Sequence, residues 1–438
     1  MRDTQKLTTE QLDAVRAAVD IVELVRLRGV ELQKGGRGLK GLCPFHADTV
    51  GTFYVWSEKQ RFKCFDCKAS GDVFTFLQRA TKTTFPEAVK QLAIAAGVLL
   101  ESPEERERTA QLDVVRMAAD YFVEQLWSTA GGLRAREYLA QRGVSEETAR
   151  RLGLGWAPAE WGALTEVLRA RGALDTGLRL GLVAPKRSGS AHYDVFRGRI
   201  MFPLRQADGV AVGFGGRLLE GEGPKYLNSQ ESLAFSKAQL LFGIDGAREA
   251  ISTTKTVVLC EGYFDAAVLQ QLGIANAVGL CSTSVTPAHL ELLSKLGVEQ
   301  VVLLLDGDAA GELAIERNAA TLLNSAMQVV RVAQLPSGFD PDSFALRNGL
   351  SAIAAVISGA TTLADHLLRT ALPEGASSSF EAKIAGFERV RPLLAALTPG
   401  VSRIHLVDQV ATRWGFRVSD VENELRQKQA DSQRGRRD

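Results

Sequence analysis

Two short apolar runs end abruptly in acid in the second half of the chain. Val257-Val258-Leu259-Cys260 leads into Glu261-Gly262-Tyr263-Phe264-Asp265, and Val301-Val302-Leu303-Leu304-Leu305 into Asp306-Gly307-Asp308. Unbroken apolar runs of this length read as buried parallel strands, and open α/β sheets place their chemistry at the carboxyl ends of such strands. Across 256–345 the pattern alternates: strands are predicted over 256–260, 275–280, 300–305 and 328–333, helices over 264–272, 287–297 and 309–323. This predicts an α/β unit with a central parallel sheet. Upstream, Leu12, Val15, Val19, Val22 and Val25 recur at helical spacing and predict an amphipathic helix over 11–30, ended by Gly35-Gly36-Arg37-Gly38. Helices are predicted from Gly71-Asp72, from Phe85-Pro86 to Gly97, over 112–140 and from Ser145. The runs Arg199 to Leu204 and Val210 to Phe214, joined at Asp208-Gly209, predict two strands. Helical patterns recur over 352–371, 380–397, 403–414 and 419–427.

At 438 residues the chain exceeds one ordinary core and should hold about two to four domains. Hydrophobic residues make up 45% and charged residues 24%, as in globular proteins. A net charge of +1 decides nothing about nucleic acid, so the distribution of charge must. The N-terminus has no signal-peptide core and no run of about 18 apolar residues occurs, which leads us to expect a cytoplasmic chain with no membrane partner. No GxxxxGK[ST] sequence is present, which argues against a fused ATP-driven motor.

Five cysteines do not make a disulfide scaffold in a chain of this length. Cys43-Pro44-Phe45-His46 and Cys64-Phe65-Asp66-Cys67 each space two ligands by two residues. Such turns present both side chains of a pair to one tetrahedral Zn²⁺ at roughly 2.0 to 2.3 Å, and four protein ligands make the ion structural. The intervening Thr52 to Trp56 and Arg61 to Lys63 read as a hairpin, giving a zinc ribbon. The competing reading is three reduced cysteines and a stray histidine. Phe53, Tyr54, Trp56, Lys59, Arg61, Phe62 and Lys63 mix rings and cations in the manner of single-stranded nucleic-acid binders, although some rings must form the ribbon's own core.

Residues 186 to 217 hold six Lys or Arg (Lys186, Arg187, Arg197, Arg199, Arg205, Arg217) against two Asp and no Glu. Arg197 and Arg199, at alternate positions, are expected on one face of a strand as part of a cationic stripe for a phosphate backbone. Lys225, Asn228 and Lys237 extend it; a solvated sheet face is the alternative. The glycines of Gly213-Phe214-Gly215-Gly216 are expected to permit close backbone approach or a tight bend. Glu261, Asp306 and Asp308, with Asp340 and Asp342 beyond the last strand, are expected to converge at one sheet edge. They would repel strongly unless neutralised, which favours a Mg²⁺ or Mn²⁺ site over a surface acidic patch. Cys260 and Cys281 are expected to be buried thiols, and His192, His289, His366 and His405 ordinary surface or boundary residues.

Glu261-Gly262-Tyr263-Phe264-Asp265 with Asp306-Gly307-Asp308-Ala309-Ala310-Gly311 resembles the TOPRIM signature of bacterial primases, some topoisomerases and some nucleases. Together with the zinc ribbon, Tyr138-Leu139-Ala140-Gln141-Arg142-Gly143, the run Arg197 to Phe202, Gly213 to Arg217 and Pro224 to Ser229, it resembles the bacterial replicative (DnaG-type) DNA primases over roughly residues 10 to 425. The resemblance implies a multidomain α/β and α+β protein. Its expected parts are a zinc-ribbon template-binding domain (1–100), a linker (101–110), a mixed α+β basic subdomain of an RNA polymerase core (111–250), a TOPRIM subdomain with a central parallel sheet (251–350), a helical subdomain (351–425) and a polar tail (426–438).

The implied activity is synthesis of short RNA primers from ribonucleoside triphosphates on single-stranded DNA, leaving an RNA–DNA product. Glu261, Asp306 and Asp308 would be the catalytic and metal-binding acids, with Asp265, Asp340 and Asp342 supporting them or holding a further ion. Arg142, Arg197, Arg199, Arg217, Lys225, Asn228 and Lys237, and Trp56, Lys59 and Arg61 of the ribbon, would contact template or nucleotide. The chain departs from the family pattern at Ala47 to Phe53 and at Asp66 and Lys68. The replicative helicase enters as a partner, but the family's helicase-binding domain is longer than what remains after the acidic region, so we expect it to be missing here. The chain is expected to act as a monomer. The rival readings are a TOPRIM nuclease or topoisomerase and a non-catalytic zinc and TOPRIM nucleic-acid binder.

Overall fold

The computed structural model describes residues 7–434 except 99, 101, 187–190, 283, 326 and 373–378, with side chains through 426. Glu101, Arg187 and the tail beyond 434 lie outside the described residues. The chain divides into two compact units, Met1–Arg106 and Glu107–Asp438.

In the first unit Thr8 caps α1 (Thr9–Ala18) and Asp20 caps α2 (Ile21–Leu27). The helix expected over 11–30 is therefore two, because the Asp20 carboxylate accepts from the amides of Val22 and Glu23 and starts a new helix there. A five-stranded antiparallel sheet follows in chain order: β1 (Gln33–Gly35), β2 (Gly38–Gly41), β3 (Phe53–Trp56), β4 (Arg61–Cys64) and β5 (Ser70–Gly71). Helices α3 (Val73–Thr81) and α4 (Phe85–Ala95) cover it. Strand alternation sends Phe53 and Phe62 into a core with Phe76 and Phe45, and Tyr54, Trp56, Arg61 and Lys63 to the other face.

The charged run forms the first turns of α5 (Pro103–Ser128), which enters the second unit at Glu107 and leads into α6 (Gly132–Gln141) and α7 (Glu146–Leu152). An antiparallel sheet of order β11-β10-β9-β6 comprises β6 (Gly155–Ala157), β9 (Arg199–Arg205), β10 (Ala211–Leu218) and β11 (Tyr226–Asn228). Helices α8 (Ala163–Ala170) and α9 (Leu174–Arg179) and the hairpin β7 (Val183–Pro185) and β8 (His192–Asp194) lie between β6 and β9 in sequence. The glycines of β10 do allow close approach: a Cβ on Gly215 would lie 2.4 Å from Tyr263 Oη, and one on Gly213 2.5 Å from the Phe235 ring.

The acidic region forms α10 (Ile244–Thr254), β12 (Thr256–Cys260), α11 (Tyr263–Gln271), β13 (Ala277–Gly279), α12 (Pro287–Lys295), β14 (Gln300–Leu303), α13 (Ala309–Leu323), β15 (Val329–Val332), α14 (Pro341–Ser358) and β16 (Thr361–Thr362). The sheet order is β13-β12-β14-β15-β16, parallel except for the last strand. Helices α15 (Leu363–Ala371), α16 (Phe380–Ala396), α17 (Val401–Trp414) and α18 (Val418–Arg434) complete the unit around Phe387, Leu394, Val410 and Trp414. Two histidines expected near the surface are buried. His289 accepts from the Thr286 amide inside the cap of α12, and His366 meets Glu312 Oε2 at 3.0 Å between α15 and α13. Among the described residues no helix is long and apolar enough to cross a membrane.

Candidate functional site

In the ribbon, Cys43, His46, Cys64 and Cys67 bring one ligand atom each within 4.8 Å of the others. The sulfurs of Cys43 and Cys67 lie 3.9 Å apart, close to the edge of about 3.8 Å of a tetrahedron built on 2.3 Å bonds. His46 Nε2 is 2.8 Å from Asp66 Oδ2, while its Nδ1 is buried without a protein partner and is the nitrogen left for metal. The Phe45 amide approaches Cys43 Sγ at 3.4 Å and Thr52 Oγ1 approaches Cys64 Sγ at 3.2 Å. These residues fit a closed Cys3His zinc centre. Asp48, where the chain departs from the family pattern, accepts from the amides of Cys43, Val50, Gly51 and Thr52 and ties the first ligand pair to β3. The Thr52 amide leads in holding its carboxyl well below the usual carboxylate range.

The outer face of the ribbon stacks Tyr54 on Trp56 with ring centroids 6.2 Å apart, places Phe65 edge-on to Tyr54, and sets Lys63 Nζ 5.2 Å from the Phe65 ring. Trp56 pairs with Arg61 and Tyr54 with Lys63 across the hairpin, so rings and cations share one face. Lys59 stands exposed at the turn. The rings and Arg37 and Lys40 line a cavity of about 640 Å³.

At the other site, the parallel register Leu259↔Leu303 sets the ends of β12 and β14 side by side, with Glu261 and Asp306 following. Gly311 lets α13 begin directly against the Asp306 backbone, since a Cβ there would lie 2.0 Å from the Asp306 carbonyl oxygen. A Cβ on Gly307 would likewise lie 2.5 Å from the Pro336 carbonyl oxygen, and the Gly307 amide donates to Phe339 O at 2.9 Å, which brings the Asp340 loop to the same edge. Asp308 caps α13, Oδ1 accepting from Ala310 and Gly311 at 2.9 Å each.

Burial, then the charges of Asp306 and Asp308, raise the Glu261 carboxyl; burial, Asp340 and Asp308 raise Asp306, partly offset by Lys225. Glu261 Oε1 is buried and unpartnered. A buried acceptor without a donor, among carboxylates that repel one another, fits a divalent cation. The convergence is looser than expected. Among the described residues only the ribbon ligands draw their metal-binding atoms within 4.8 Å of one another.

The remaining expected residues divide into those left open and those already engaged. Arg217 donates to Tyr138 Oη at 3.2 Å and lies over Tyr226 at 5.0 Å, but its Nε and Nη1 are buried without partners. Lys237 lies near Cys281 in the loop after β13. Arg197 precedes β9 instead of lying on it; Nη1 donates to the Asp194 carbonyl, and the guanidinium stacks on exposed Trp161 at 4.0 Å and on Tyr193 at 5.2 Å.

The stripe reading fails for Arg199. It is 3% exposed and donates to the carbonyls of Gly216 and Pro224, so its charge serves the sheet. Asn228 is taken up between Tyr263 Oη and the Cys281 carbonyl. Asp265 is buried, with both carboxylate oxygens on backbone amides, and Arg142 is paired with Asp342. Asp340 caps α14; burial raises it, but hydrogen bonds from Asp342 and Ser343 outweigh that and lower it. Sequence reading missed Asp66, whose only signal was its place between two ligands.

Comparison with known proteins gives the same picture. Family models match at residues 7–108 (CHC2 zinc finger), 121–248 (DNA primase catalytic core, N-terminal domain) and 258–345 (Toprim-like). The DNA primase of Myxococcus xanthus is 44% identical over 95% of this chain and 69% of its own length; that of Halalkalibacterium halodurans is 34% identical over 96% and 71%. The crystal structure of the zinc-binding and RNA polymerase domains of Aquifex aeolicus primase is 31% identical, with a TM-score of 0.63 over 94% of this chain and 98% of that one. A DNA primase domain from Pseudomonas aeruginosa reaches a TM-score of 0.67 at 32% identity, over 72% of this chain and 99% of its own. Homology over nearly the whole chain favours primer synthesis over cleavage or passive binding, and Tyr263, two residues from Glu261, is buried with its hydroxyl donated to Asn228. With a zinc ribbon, a primase catalytic core and a Toprim edge in that order, the chain belongs to the DnaG-type DNA primases, the nucleotidyltransferases that make RNA primers on DNA for replication.

Proposed function

We propose that this chain joins ribonucleoside triphosphates on single-stranded DNA with Mg²⁺ or Mn²⁺ held by Glu261, Asp306 and Asp308, and Asp340 beside them. One complementarity carries the reading: Glu261 has a buried acceptor without a hydrogen-bond donor, and Arg217 has two buried donors without an acceptor. The two are linked through Tyr226, which lies under Arg217 and has its ring centroid 5.9 Å from that of Tyr263, two residues from Glu261. A metal-bound triphosphate would satisfy both. The cation would supply neutralisation of the polyphosphate and activation of the primer 3′-hydroxyl. Arg217 holds phosphate through Nε and Nη1, and Lys225, just before β11, and Lys237, between β11 and α10, add charge.

Arg197, flattened on Trp161 and Tyr193, offers a guanidinium to the template backbone. Trp56 with Tyr54 stacks on template bases while Lys59 and Arg61 face phosphates. A related primase catalytic domain, 29% identical with a TM-score of 0.60 over 70% of this chain and 99% of its own, has been solved bound to single-stranded DNA, which supports a single-stranded DNA template for the catalytic core. The zinc is structural, and the chain works on DNA in the bacterial cytoplasm or nucleoid.

The test is incorporation of labelled ribonucleotide on random single-stranded templates, with Mg²⁺ and Mn²⁺ compared. E261Q and D308N should each lose at least about a hundredfold in synthesis, with zinc content and circular dichroism unchanged. Synthesis by E261Q at the wild-type rate would refute the assignment of the acids.

A further inference from the structure

Arg142, Asp342 and Asp265 have the residue types of a phosphate contact and two metal ligands, but their atoms are committed elsewhere. Asp265 is 7% exposed; Oδ2 accepts from the Gly262 amide at 2.9 Å and Oδ1 from the Asp342 amide at 3.2 Å. It therefore fastens the turn after Glu261 to the first turn of α14. Asp342 is 2% exposed, and its Oδ2 takes the Arg142 guanidinium. Arg142 comes from a different part of the unit: its amide closes α6, and its guanidinium lies 4.6 Å from the ring centroid of Phe264, the neighbour of Asp265 on α11.

The turn that carries Arg142 is itself docked on both helices. Gly143, at φ +73, sits where a Cβ would be 2.4 Å from Leu346 of α14. Gln271 of α11 donates to Gly143 O at 2.9 Å and accepts from the Ser145 amide at 2.8 Å.

We propose that Arg142, Asp342 and Asp265 form a positioning clamp. It joins the end of α6 to α11 and α14 and fixes the distance between the loop carrying Glu261 and the loop carrying Asp340. None of the three touches nucleic acid or metal. The guanidinium is stacked on one side and ion-paired at its end with a buried carboxylate, its own side chain 32% exposed, and a buried carboxylate that has given both oxygens to amides, as Asp265 has, has little left to offer a cation. The clamp rests on the reading that Glu261, Asp306 and Asp308 hold the metal. Outer partners of metal-binding carboxylates affect affinity by about 10- to 100-fold, so loosening these loops should appear as a higher metal requirement.

The experiment uses the full chain. Mn²⁺ binding is followed by electron paramagnetic resonance, primer synthesis is titrated with Mg²⁺, and single-stranded DNA binding is measured by fluorescence anisotropy, for the wild type, R142Q, R142K, D265N and R142Q/D342N. R142Q and D265N should weaken Mn²⁺ binding and raise the Mg²⁺ midpoint about tenfold, with most of the rate recovered at saturating metal and DNA affinity within about twofold of wild type. R142Q/D342N should be no worse than R142Q, because both substitutions open the same pair. R142K keeps the charge and should shift the midpoint less than about threefold, which serves as the test if R142Q does not fold.

A tenfold loss of DNA affinity in either Arg142 variant with an unchanged metal midpoint would make Arg142 a DNA ligand and overturn the clamp. So would a D265N protein that is folded but inactive at every metal concentration, the behaviour of a direct ligand. Failure of the underlying site reading looks different: D308N would bind Mn²⁺ and make primers as the wild type does.

Discussion

The zinc ribbon and the acidic edge each assemble metal-binding side chains, and they do so in opposite ways. In the ribbon four ligands from two short turns close on one point, and the atoms around them are satisfied: Asp66 holds the far nitrogen of His46, and backbone and hydroxyl groups approach the sulfurs. At the edge the acids come from three loops, stay farther apart, raise one another's proton affinity and leave Glu261 Oε1 without a partner. A closed and satisfied shell retains its ion as part of the fold; an open one with unmet charge can accept an ion together with a substrate. The comparison teaches that the number of ligands matters less than what their remaining atoms are doing.

The largest expected effect breaks the closed site. Replacing Cys64 by Ser, or stripping zinc with a strong chelator, should unfold the first unit, because structural zinc supplies about 10 kcal/mol or more in ribbons this small. Metal analysis would show zinc lost. Circular dichroism would show the ribbon's transition gone while that of residues 107–438 remains. A first unit that keeps its structure without zinc would place its stability in the Phe45, Phe53, Phe62 and Phe76 core alone.

The contrast also explains what could be read from sequence. The ribbon ligands lie within 25 residues and signal through spacing alone, and the strand over 256–260 and the helix over 309–323 coincide with their apolar patterns because sheet burial fixes both. Arg199 could not be read in this way. Alternation along a strand says which residues share a face but not whether that face meets water or, as here, the carbonyls of Gly216 and Pro224 brought in by neighbouring segments. Arg142 and Asp342, 200 residues apart, are paired only because the turn after α6 docks on α14. His366 is buried against Glu312 for the same reason. Long-range pairing, not local pattern, decides which charges are free.

An intermediate effect separates the two regions by pH. Burial, followed by neighbouring carboxylates, lifts Asp265 to about 8 and, with Asp340, Asp342 to about 6, from an ordinary 3.8. Folded protein then binds more protons at these groups than unfolded protein does, so their contribution is present at about pH 4 and is lost as pH rises through 6 and 8. Without divalent metal, the stability of the second unit should fall by about 1 kcal/mol per pH unit across that window, measured by denaturant titration, and D265N should flatten the slope. The ribbon should respond with the opposite sign, since protons compete with zinc for its thiolates and release the ion as pH falls. Parallel pH dependence in the two units would undo the distinction between them.

The smallest expected effect tests whether the closed site depends on atoms beyond its ligands. Asp66 lies between the second pair of cysteines, and its carboxylate, 65% exposed, holds His46 Nε2 at 2.8 Å. That bond selects the tautomer in which Nε2 carries the proton and Nδ1 presents its lone pair to the metal. D66N can still accept from Nε2, but through a neutral oxygen, so ring orientation survives while the ring loses electron donation. D66A removes both. Zinc retention against a chelator should weaken by about tenfold in D66A and by less in D66N, with the wild-type fold at saturating zinc in each. Equal losses would make orientation the whole contribution of Asp66. No loss in either would mean that the turns bearing Cys43, Cys64 and Cys67 already fix His46, and that the closed site needs nothing outside its four ligands.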